Sequence, residues 1–344
     1  MSVGLNDFER ILRCASEAGI SDVHITAHEP VFWRRGDVLS PLKQYTPEAE
    51  NIFAFIKKHF PKNSWEKLMD RENVNLALAI GHWRYRIHCY RKRGKLAMAI
   101  RTLPKDVPSL DSLGQAALVG QFADFRHGLL LIAGATGAGK STTAAALLAE
   151  LNKRENYHIL TLEDPVEFEF HSASSLISQL EKEVDFHSYG QAVENAMREA
   201  PDVIMVSEMR DMETVHAVLN AAVSGHYVIA TMHAGSVVEA AERIVSMYPA
   251  EKQGMARSLL ASSLVGICSQ KLVAGRGGLK ECAMECLRAN AAVRNLIRNA
   301  KYDQLYSVME AGADDGMQTM AMAMEKLRQG NLLKAAKAAG NRAG

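Results

Sequence analysis

Residues 128–151 contain the pattern that most constrains the fold of this chain. An apolar run, Gly128–Ala133, leads into a glycine-rich turn, and a stretch of strong helix formers, Thr142–Leu151, follows the turn. The turn reads Gly-Ala-Thr-Gly-Ala-Gly-Lys-Ser, which matches a phosphate-binding P-loop in its required place between a strand and a helix. The segment therefore predicts an α/β sheet with a binding site at the carboxyl ends of its strands.

Each residue type in this turn has a physical role in holding an anion. Glycines let successive backbone N–H groups turn toward one anion, and the helix N-terminus adds positive potential. The lysine is expected to reach the β- and γ-phosphates of ATP, and the serine hydroxyl is expected to ligate Mg²⁺. The predicted cofactors are therefore ATP and Mg²⁺. The predicted nucleotide-binding residues of the turn are Gly134, Thr136, Gly137, Ala138, Gly139, Lys140, Ser141 and Thr142.

Length and local patterns divide the chain into two parts. A chain of 344 residues favours two domains. Residues 1–103 contain alternating runs such as Asp22–Thr26 and Val74–Ile80, which predict a small α+β domain with an antiparallel sheet. The polar, proline-containing stretch 104–114 is predicted to be a linker. In residues 115–344 continuously apolar runs alternate with helical stretches, which predicts a parallel sheet covered on both faces.

Three further predictions concern local structure. Thr46 as an N-cap with Pro47 after it predicts the start of a helix. From about Ser258 the pattern is mostly helical, so the predicted ATPase domain ends in a helical part. The Ala/Lys/Gly tail Lys334–Gly344 has a composition that permits disorder.

Charge and run lengths exclude several classes of function. The chain has 40 Lys+Arg against 39 Asp+Glu and a net charge of +1, too balanced for a global electrostatic attraction to nucleic acid or an anionic membrane. Its apolar runs are shorter than the ~20 residues that cross a bilayer, so no membrane insertion is expected. Five cysteines and the lack of a charged-then-apolar leader in residues 1–17 predict a reducing, cytoplasmic location.

Acidic residues follow two of the predicted buried strands. Glu163 comes directly after Ile159–Leu162, and Glu208 follows Val203–Val206 after one serine. The carboxyl ends of parallel strands line the ligand crevice of such a sheet. We expect the two carboxylates to share water activation and, with Ser141, the organisation of Mg²⁺, directly or through water. The spacing leaves open which glutamate is the base, and an ordinary capping role is the alternative for each.

Two histidines flank a further apolar strand, Tyr227–Thr231. His233 follows this strand at the same end of the predicted sheet as the acids, where it could donate to a γ-phosphate. His226 precedes the strand. For both histidines, the alternative from the residues alone is a structural role.

Four motifs, in order along the chain, resemble those of the secretion superfamily of ATPases. They are Gly134–Ser141 (Walker A), Ile159–Glu167 (Asp box), Asp202–Asp211 (Walker B) and Gly225–His233 (His box). Within this superfamily the sequence is most similar to the PilT-type pilus-retraction motors. Ser21–Ile25, Ala292–Ile297 and Gly316–Thr319 resemble three further motifs of that family, and the likeness covers roughly residues 5–330.

The resemblance implies a PAS-like N-terminal domain, a RecA-like ATPase domain and a hexameric ring that powers type IV pilus retraction. It implies that His226 and His233 belong to the nucleotide site and that Arg86 and Arg101 complete this site across a subunit boundary. From the residues alone, the favoured interpretation of the basic strand pair Arg84–Arg101 is a solvated face or a patch for an anionic partner. The implied partner is an inner-membrane pilus platform protein, contacted peripherally from the cytoplasm.

Two departures from the family pattern lie near the site. Ser207 stands where the family usually has glycine, and Met232-His233-Ala234 replaces the usual Leu-His-Thr. Both changes keep the acid and the imidazole, so we expect ATP hydrolysis to be retained.

Three other functions remain open from the sequence. One is a type IV secretion or conjugation ATPase that energises substrate export. Another is a DNA-handling RecA-like ATPase, although the balanced charge and an aromatic content of 6% disfavour nucleic-acid binding by base stacking. The third is an adaptor that binds nucleotide without hydrolysing it, which the retained acids disfavour.

Overall fold

The computed structural model describes residues 5–36, 38–81, 83–103, 106–275 and 280–340. The chain divides into two compact units, one formed by Met1–Asp106 with Pro165–Phe168 and the other by Val107–Asp164 with Glu169–Gly344. Pro104 and Lys105, at the start of the predicted linker, lie outside the described residues. From Leu110 to Phe122 the chain forms short 3₁₀ segments joined at Gly114. The exact domain and linker boundaries stay a prediction.

The described residues of the N-terminal unit form a six-stranded sheet with three helices. Along the chain these are α1 (Leu5–Glu17), β1 (Asp22–Thr26), β2 (Val31–Arg35), β3 (Val38–Leu42), α2 (Ala49–His59), α3 (Lys62–Met69), β4 (Val74–Ile80), β5 (Trp83–Lys92) and β6 (Lys95–Leu103). The strand order is β3-β2-β1-β6-β5-β4, with antiparallel pairing. The core includes Phe8 and Leu12 of α1 and Ile56 of α2. The predicted antiparallel sheet is confirmed, and its PAS-like character stays a prediction.

The predicted start of helix α2 is wrong by two residues. The helix begins at Ala49 with Glu48 as its N-cap. The carbonyl of Pro47 accepts a hydrogen bond from the backbone N–H of His28 at 2.8 Å, and the carbonyl of Tyr45 accepts one from Val31 at 2.9 Å. Because these bonds hold the segment beside the sheet, the helical turn starts only after Pro47.

The second unit contains a seven-stranded sheet across its described residues, with helices on both faces. The elements are β7 (Gly128–Ala133), α4 (Lys140–Arg154), β8 (His158–Glu163), β9 (Leu176–Glu181), α5 (Tyr189–Ala196), β10 (Val203–Val206), α6 (Met212–Val223), β11 (Tyr227–Met232), α7 (Val237–Ser246), α8 (Gln253–Ser263), β12 (Leu264–Ala274), β13 (Lys280–Arg288), α9 (Ala291–Arg298), α10 (Leu305–Ala311) and α11 (Met320–Gly340). The strand order is β13-β12-β7-β11-β10-β8-β9. The pairings are parallel except that of β12 with β13.

Strand β7 lies inside this sheet and is buried on both faces. Leu129 and Leu131 pack into the cluster that contains residues of α6 and α7. Leu130 and Ile132 pack into the opposite cluster, which contains Leu147 and other residues of α4. The predicted parallel α/β sheet, covered on both sides, is confirmed.

The C-terminal part is less helical than the sequence pattern predicts. Strands β12 and β13 occupy Leu264–Ala274 and Lys280–Arg288, and β12 pairs directly with β7. A short apolar run buried on both faces has no distinctive period, so a strand and a buried helix segment look alike in sequence. Helix α11 extends through Gly340, and the last four residues of the tail lie outside the described part. None of the described helices is both long and apolar enough to span a membrane.

Gly266 in β12 provides a test of this packing. A Cβ atom at Gly266 would lie 2.3 Å from the Phe122 ring and 2.9 Å from the Leu287 carbonyl oxygen. We expect Gly266→Ala to lower the free energy of unfolding by about 1–3 kcal/mol through overpacking. Urea unfolding of the parent and of Gly266→Ala checks this. Gly254→Ala in α8 is the matched control and is unfolded in the same way. A Cβ at Gly254 meets only the tip of Arg257, at 3.8 Å, so helix propensity predicts a gain of up to about 1 kcal/mol. Equal effects of the two changes would contradict the packing at Gly266.

Candidate functional site

Four adjacent parallel strands bring the predicted site residues to one edge of the sheet. Strand β7 leads into the P-loop and Lys140, and its neighbour β11 is followed directly by His233. The next strand, β10, ends two residues before Glu208, and β8 beyond it ends at Glu163. The strand order therefore arranges these four side chains along the edge in the order lysine, histidine, glutamate, glutamate.

The P-loop has the backbone conformation that an anion cradle requires. Gly134, Gly137 and Gly139 have φ angles of +154°, +76° and +88°, which residues with a side chain rarely adopt. Helix α4 begins at Lys140, so Ser141 and Thr142 lie in its first turn, where backbone N–H groups have no intrahelical acceptor. The loop and the helix start can therefore present several N–H groups to one phosphate group.

Lys140 is held at the centre of this loop. Its Nζ donates hydrogen bonds to the carbonyl oxygens of Gly134 at 2.9 Å and Ala135 at 3.1 Å. It also lies 3.3 Å from Nδ1 of His233. The ammonium group is therefore placed beside the N–H groups that would cradle a phosphate, and it connects the loop to β11.

Glu208 continues this line of polar contacts. Its Oε1 lies 3.1 Å from Nε2 of His233, and its Oε2 accepts a hydrogen bond from Arg210 at 2.6 Å. Burial by itself raises the pKa of Glu208, but the hydrogen bond and charge of Arg210, together with His233 and Lys140, outweigh that effect. The pKa of Glu208 is therefore below its usual value, and its carboxylate is ionised at neutral pH.

Glu163 has different surroundings from Glu208. Its Oε1 accepts hydrogen bonds from the hydroxyl of Thr161 at 2.8 Å and the amide of Gln179 at 3.0 Å. Only 5% of Glu163 is exposed, whereas 17% of the Glu208 side chain is exposed. Glu163 is thus fixed by neutral donors of β8 and β9, and sequence reasoning did not identify Gln179 as one of them.

The unusual Ser207 is part of a set of bonds that fixes the turn carrying Glu208. Its hydroxyl is 2.7 Å from the hydroxyl of Tyr189, at the start of α5. The hydroxyl of Thr231 in β11 donates to the Ser207 carbonyl, and the Thr231 carbonyl accepts from the N–H of Met209 at 2.9 Å. The residues on both sides of Glu208 are therefore bound to β11. Sequence reasoning assigned no site role to Tyr189 or to Thr231, although Thr231 lies inside the His-box segment Gly225–His233.

The structure places His226 away from the P-loop edge of its own chain, and its expected nucleotide role stays a prediction. His226 precedes β11, and its carbonyl accepts a hydrogen bond from the N–H of Gly128, at the start of β7. Its Nδ1 lies 3.2 Å from the carbonyl oxygen of Ala221. Because β7 and β11 run parallel, six strand residues, or about 20 Å, separate His226 from the P-loop end. His226 therefore lies at the opposite edge of the sheet, where it contacts the end of α6.

Arg86 and Arg101 lie on two neighbouring strands of the N-terminal unit. They occupy directly opposed positions on β5 and β6. Nε of Arg101 donates to Oδ1 of Asp22 at 3.0 Å, and 61% of the Arg101 side chain is exposed. Two like charges opposite each other on a sheet are unfavourable unless an anion neutralises them, and Asp22 supplies one such charge. The arrangement therefore retains a capacity for a further anion.

The donor atoms of the sheet edge fit a magnesium nucleotide. Ser141, Glu163 and Glu208 offer oxygen atoms, the ligands that Mg²⁺ prefers. Among the described residues, no group of three or more His, Cys, Asp or Glu side chains could hold a metal ion without other ligands. Protein Mg²⁺ sites of nucleotide enzymes commonly use one or two protein oxygens together with substrate phosphates, which matches this donor set.

The fold and this edge define a P-loop nucleoside triphosphatase. A family model described as "Type II/IV secretion system protein" matches residues 5–333, and the chain belongs to this family. It is 36% identical to the type IV pilus retraction ATPase PilT of Pseudomonas aeruginosa over 327 residues, 93% of this chain and 94% of that protein. It is 42% identical to a twitching motility protein of Neisseria gonorrhoeae over 249 residues, 72% of this chain and 67% of that protein.

A solved structure also resembles the whole chain. The crystal structure of the pilus retraction motor PilT with bound ADP matches with a TM-score of 0.85 at 35% identity. The match covers 94% of this chain and 93% of the other. The α/β ATPase fold and the family predicted from the four ordered motifs are thus confirmed.

Arg210 offers a test of the electrostatics around Glu208. In Arg210→Ala, burial raises the pKa of Glu208 without the opposing hydrogen bond and charge, so the carboxylate takes up a proton at higher pH than in the parent. We expect the acid limb of the kcat/KM profile for ATP hydrolysis to move to higher pH, because this profile reports the free enzyme, and Arg210→Lys to restore part of the shift. Phosphate release measured over an ATP concentration series at each pH, from about pH 4 to 8, checks this.

Arg198→Ala is the control for the loss of a cation. Arg198 is exposed and donates to the carbonyl of Glu194, in helix α5 that precedes it, so its removal should leave the acid limb in place. An acid limb that lies at the parental pH or at a lower pH in Arg210→Ala would contradict the electrostatic role of Arg210.

Proposed function

We propose that the chain is the Mg-ATP-hydrolysing subunit of a hexameric motor that retracts type IV pili. The observation that carries the proposal is the continuous line of contacts from the P-loop lysine through His233 to Glu208. It connects the group that would bind phosphate to the carboxylate that would activate water. The full-length similarity to a pilus retraction ATPase and the match to a twitching motility protein support the biological role.

The loop residues would bind the triphosphate. Lys140 is placed to contact the β- and γ-phosphates, and Ser141 in the first turn of α4 would hold Mg²⁺. The remaining loop residues would contribute backbone N–H groups and hydroxyls. They are Gly134, Thr136, Gly137, Ala138, Gly139 and Thr142. Bound Mg²⁺ would supply positive charge that neutralises the phosphate oxygens.

The two glutamates would have separate roles. Glu208 remains ionised and contacts His233, so we assign it the abstraction of a proton from the attacking water. Glu163 is fixed by Thr161 and Gln179, and we assign it the positioning of the metal, directly or through water. His233 lies between Lys140 and Glu208, so a γ-phosphate bound by the lysine would also contact this histidine.

Arg86 and Arg101 would act on the nucleotide of a neighbouring subunit. Their opposed positions on β5 and β6 place two guanidinium groups on one exposed face. A guanidinium that approaches the transferred phosphoryl group can contribute about 10³–10⁵-fold in rate. Such a shared site requires an assembled ring, which agrees with a motor in which hydrolysis is converted to subunit movement.

The motor would work from the cytoplasmic face of the inner membrane, with peripheral contact to a pilus platform protein. The family also contains proteins of secretion systems, so substrate export is the alternative within the family. A pilus-specific readout in cells distinguishes the two functions.

Glu208→Gln tests the proposed base. Because the amide cannot take a proton from water, we expect kcat to fall by about 10²–10⁴-fold while the Kd for ATP changes little. Phosphate release and equilibrium binding on the same preparation check this. Glu163→Gln is the paired variant, and the size of its loss in hydrolysis rate should depend on the Mg²⁺ concentration. Hydrolysis by Glu208→Gln at the parental rate would contradict the assignment.

The same variant tests pilus retraction in cells. In a strain that lacks the gene for this chain, the parental allele should restore twitching, and the Glu208→Gln allele should leave surface pili in excess without twitching. Normal pilus dynamics in the strain without the gene, together with a defect in secretion, would favour the export alternative.

Arg101→Ala tests the shared site. Turnover per subunit should rise with protein concentration in the parent, because assembly completes the site, and should fall about 10³-fold or more in the variant while nucleotide stays bound. Concentration series of phosphate release, with and without single-stranded DNA, check this. Lys92→Ala is the control, since Lys92 lies at the far end of β5 in an ion pair with Glu29. Turnover that is independent of Arg101, or strongly stimulated by DNA, would contradict the model.

A further inference from the structure

Gln270 is a buried amide on the strand next to the P-loop strand. Only 1% of Gln270 is exposed. In the pairing of β12 with β7, Ser269 lies opposite Ala133, so Gln270 lies one residue beyond the paired segment, level with the start of the P-loop. The side chain therefore enters the region where the loop leaves the sheet.

Both ends of the Gln270 amide are bonded to the nucleotide-binding segment. Nε2 donates to the carbonyl oxygen of Ala138 at 2.6 Å. Oε1 accepts a hydrogen bond from the hydroxyl of Thr143 at 3.0 Å. One side chain thus bridges the loop and the first turn of α4.

The bond to Ala138 orients a peptide group that faces the phosphate site. In a trans peptide the C=O and the following N–H point in opposite directions. Since Gln270 holds the Ala138 carbonyl on the β12 side, the N–H of Gly139 points away from β12. Gly139 has a left-handed backbone, φ +88° and ψ +19°, and immediately precedes Lys140. An unconstrained glycine peptide could rotate, and the bond to Gln270 prevents this.

The glycines of the loop fit closely against the same residue. A Cβ at Gly134 would lie 2.7 Å from the Gln270 carbonyl oxygen, and a Cβ at Gly139 would lie 3.2 Å from its Nε2. Gly134 is therefore required by the approach of the Gln270 backbone as well as by its own backbone angle, and a Cβ at Gly139 would crowd the Gln270 amide. The loop and Gln270 form one packed unit.

We propose that Gln270 is a positioning residue that preorganises the P-loop for nucleotide through the Ala138 carbonyl and Thr143. The proposal rests on the proposed nucleotide site, and it deepens that proposal by assigning a role to a residue outside the four motifs. Gln270 acts through the loop. Its loss should therefore weaken nucleotide binding, because binding must then also order the loop.

Gln270→Met tests the role, since methionine has a similar length and makes neither hydrogen bond. We expect the Kd for ADP, measured by equilibrium titration, to rise about tenfold, because a buried carbonyl loses its partner and the loop loses its constraint. We expect KM for ATP to rise similarly, with kcat at saturating ATP changed less than about threefold.

Gln318→Met is the matched control. Gln318 is 2% exposed and donates to the Met284 carbonyl at 2.7 Å and to Oε1 of Gln115 at 3.0 Å. Its replacement should lower thermal stability as Gln270→Met does but leave the Kd unchanged. Equal Kd values for parent, Gln270→Met and Gln318→Met would overturn the proposal.

Variants of Thr143 test the second hydrogen bond of Gln270, which its Oε1 accepts from the Thr143 hydroxyl. This test does not require that Gln270→Met folds. Thr143→Val should raise the Kd about threefold, and Thr143→Ser, which keeps the hydroxyl, should restore the parental value. A parental Kd in Thr143→Val would overturn the proposed role of the hydrogen bond between Thr143 and Gln270. Parental protein that binds no ADP would instead overturn the proposed nucleotide function, and with it this role.

Discussion

The parallel pairing of β7 with β11 is the interaction on which the site depends. The register places Met232 opposite Ala133, so the residues that follow the two strands leave the sheet at the same level. His233 and the P-loop are therefore adjacent, and Nδ1 of His233 comes within 3.3 Å of Nζ of Lys140. A slip of one residue would move one strand's buried side chains to the other face. Burial on both faces of β7 thus fixes the geometry of the candidate site as well as the core.

The same constraint extends across β10 and β8. Val206 lies opposite both Ala230 and Leu162, and the turn after Val206 is bonded to β11 through Thr231. Glu208 therefore occupies a position set by the sheet, although it lies beyond the end of a strand. Its ionised state is favoured by Arg210, which follows it by two residues on the same turn, and by His233 and Lys140. Position comes from the strands, whereas the charge state depends both on the local sequence and on groups that the sheet brings close.

Much of this arrangement could be predicted from the sequence because the signals are local. The P-loop, the apolar strands before Glu163 and Glu208, and the antiparallel runs of the first hundred residues each lie within a short segment with a clear pattern. Strands β12 and β13 were not predicted, and the first part of β12 is continuously buried and so has no distinctive period. The role of His226 was assigned by motif, and the direction of β11 places the residue at the opposite edge.

The contacts that could not be predicted join distant parts of the chain. Gln270 lies 132 residues from Ala138, and a buried glutamine carries no signal that names its partner. Thr231 and Gln179 are similar cases, since each is an ordinary strand residue whose side chain bonds a neighbouring strand or turn. Motifs identify groups that touch substrate, whereas the groups that hold them in place are found only from the folded arrangement.

The charges along the sheet edge are partnered within the chain itself. Lys140 is bonded to loop carbonyls and lies beside His233, and Glu208 is bonded to Arg210 and His233. Partly buried charges need such partners because desolvation without them costs several kcal/mol. A phosphate that binds Lys140 therefore exchanges contacts and does not simply add to them. Because His233 contacts both the lysine and the glutamate, that exchange reaches Glu208 directly, which couples phosphate binding to the carboxylate that we assign as the base.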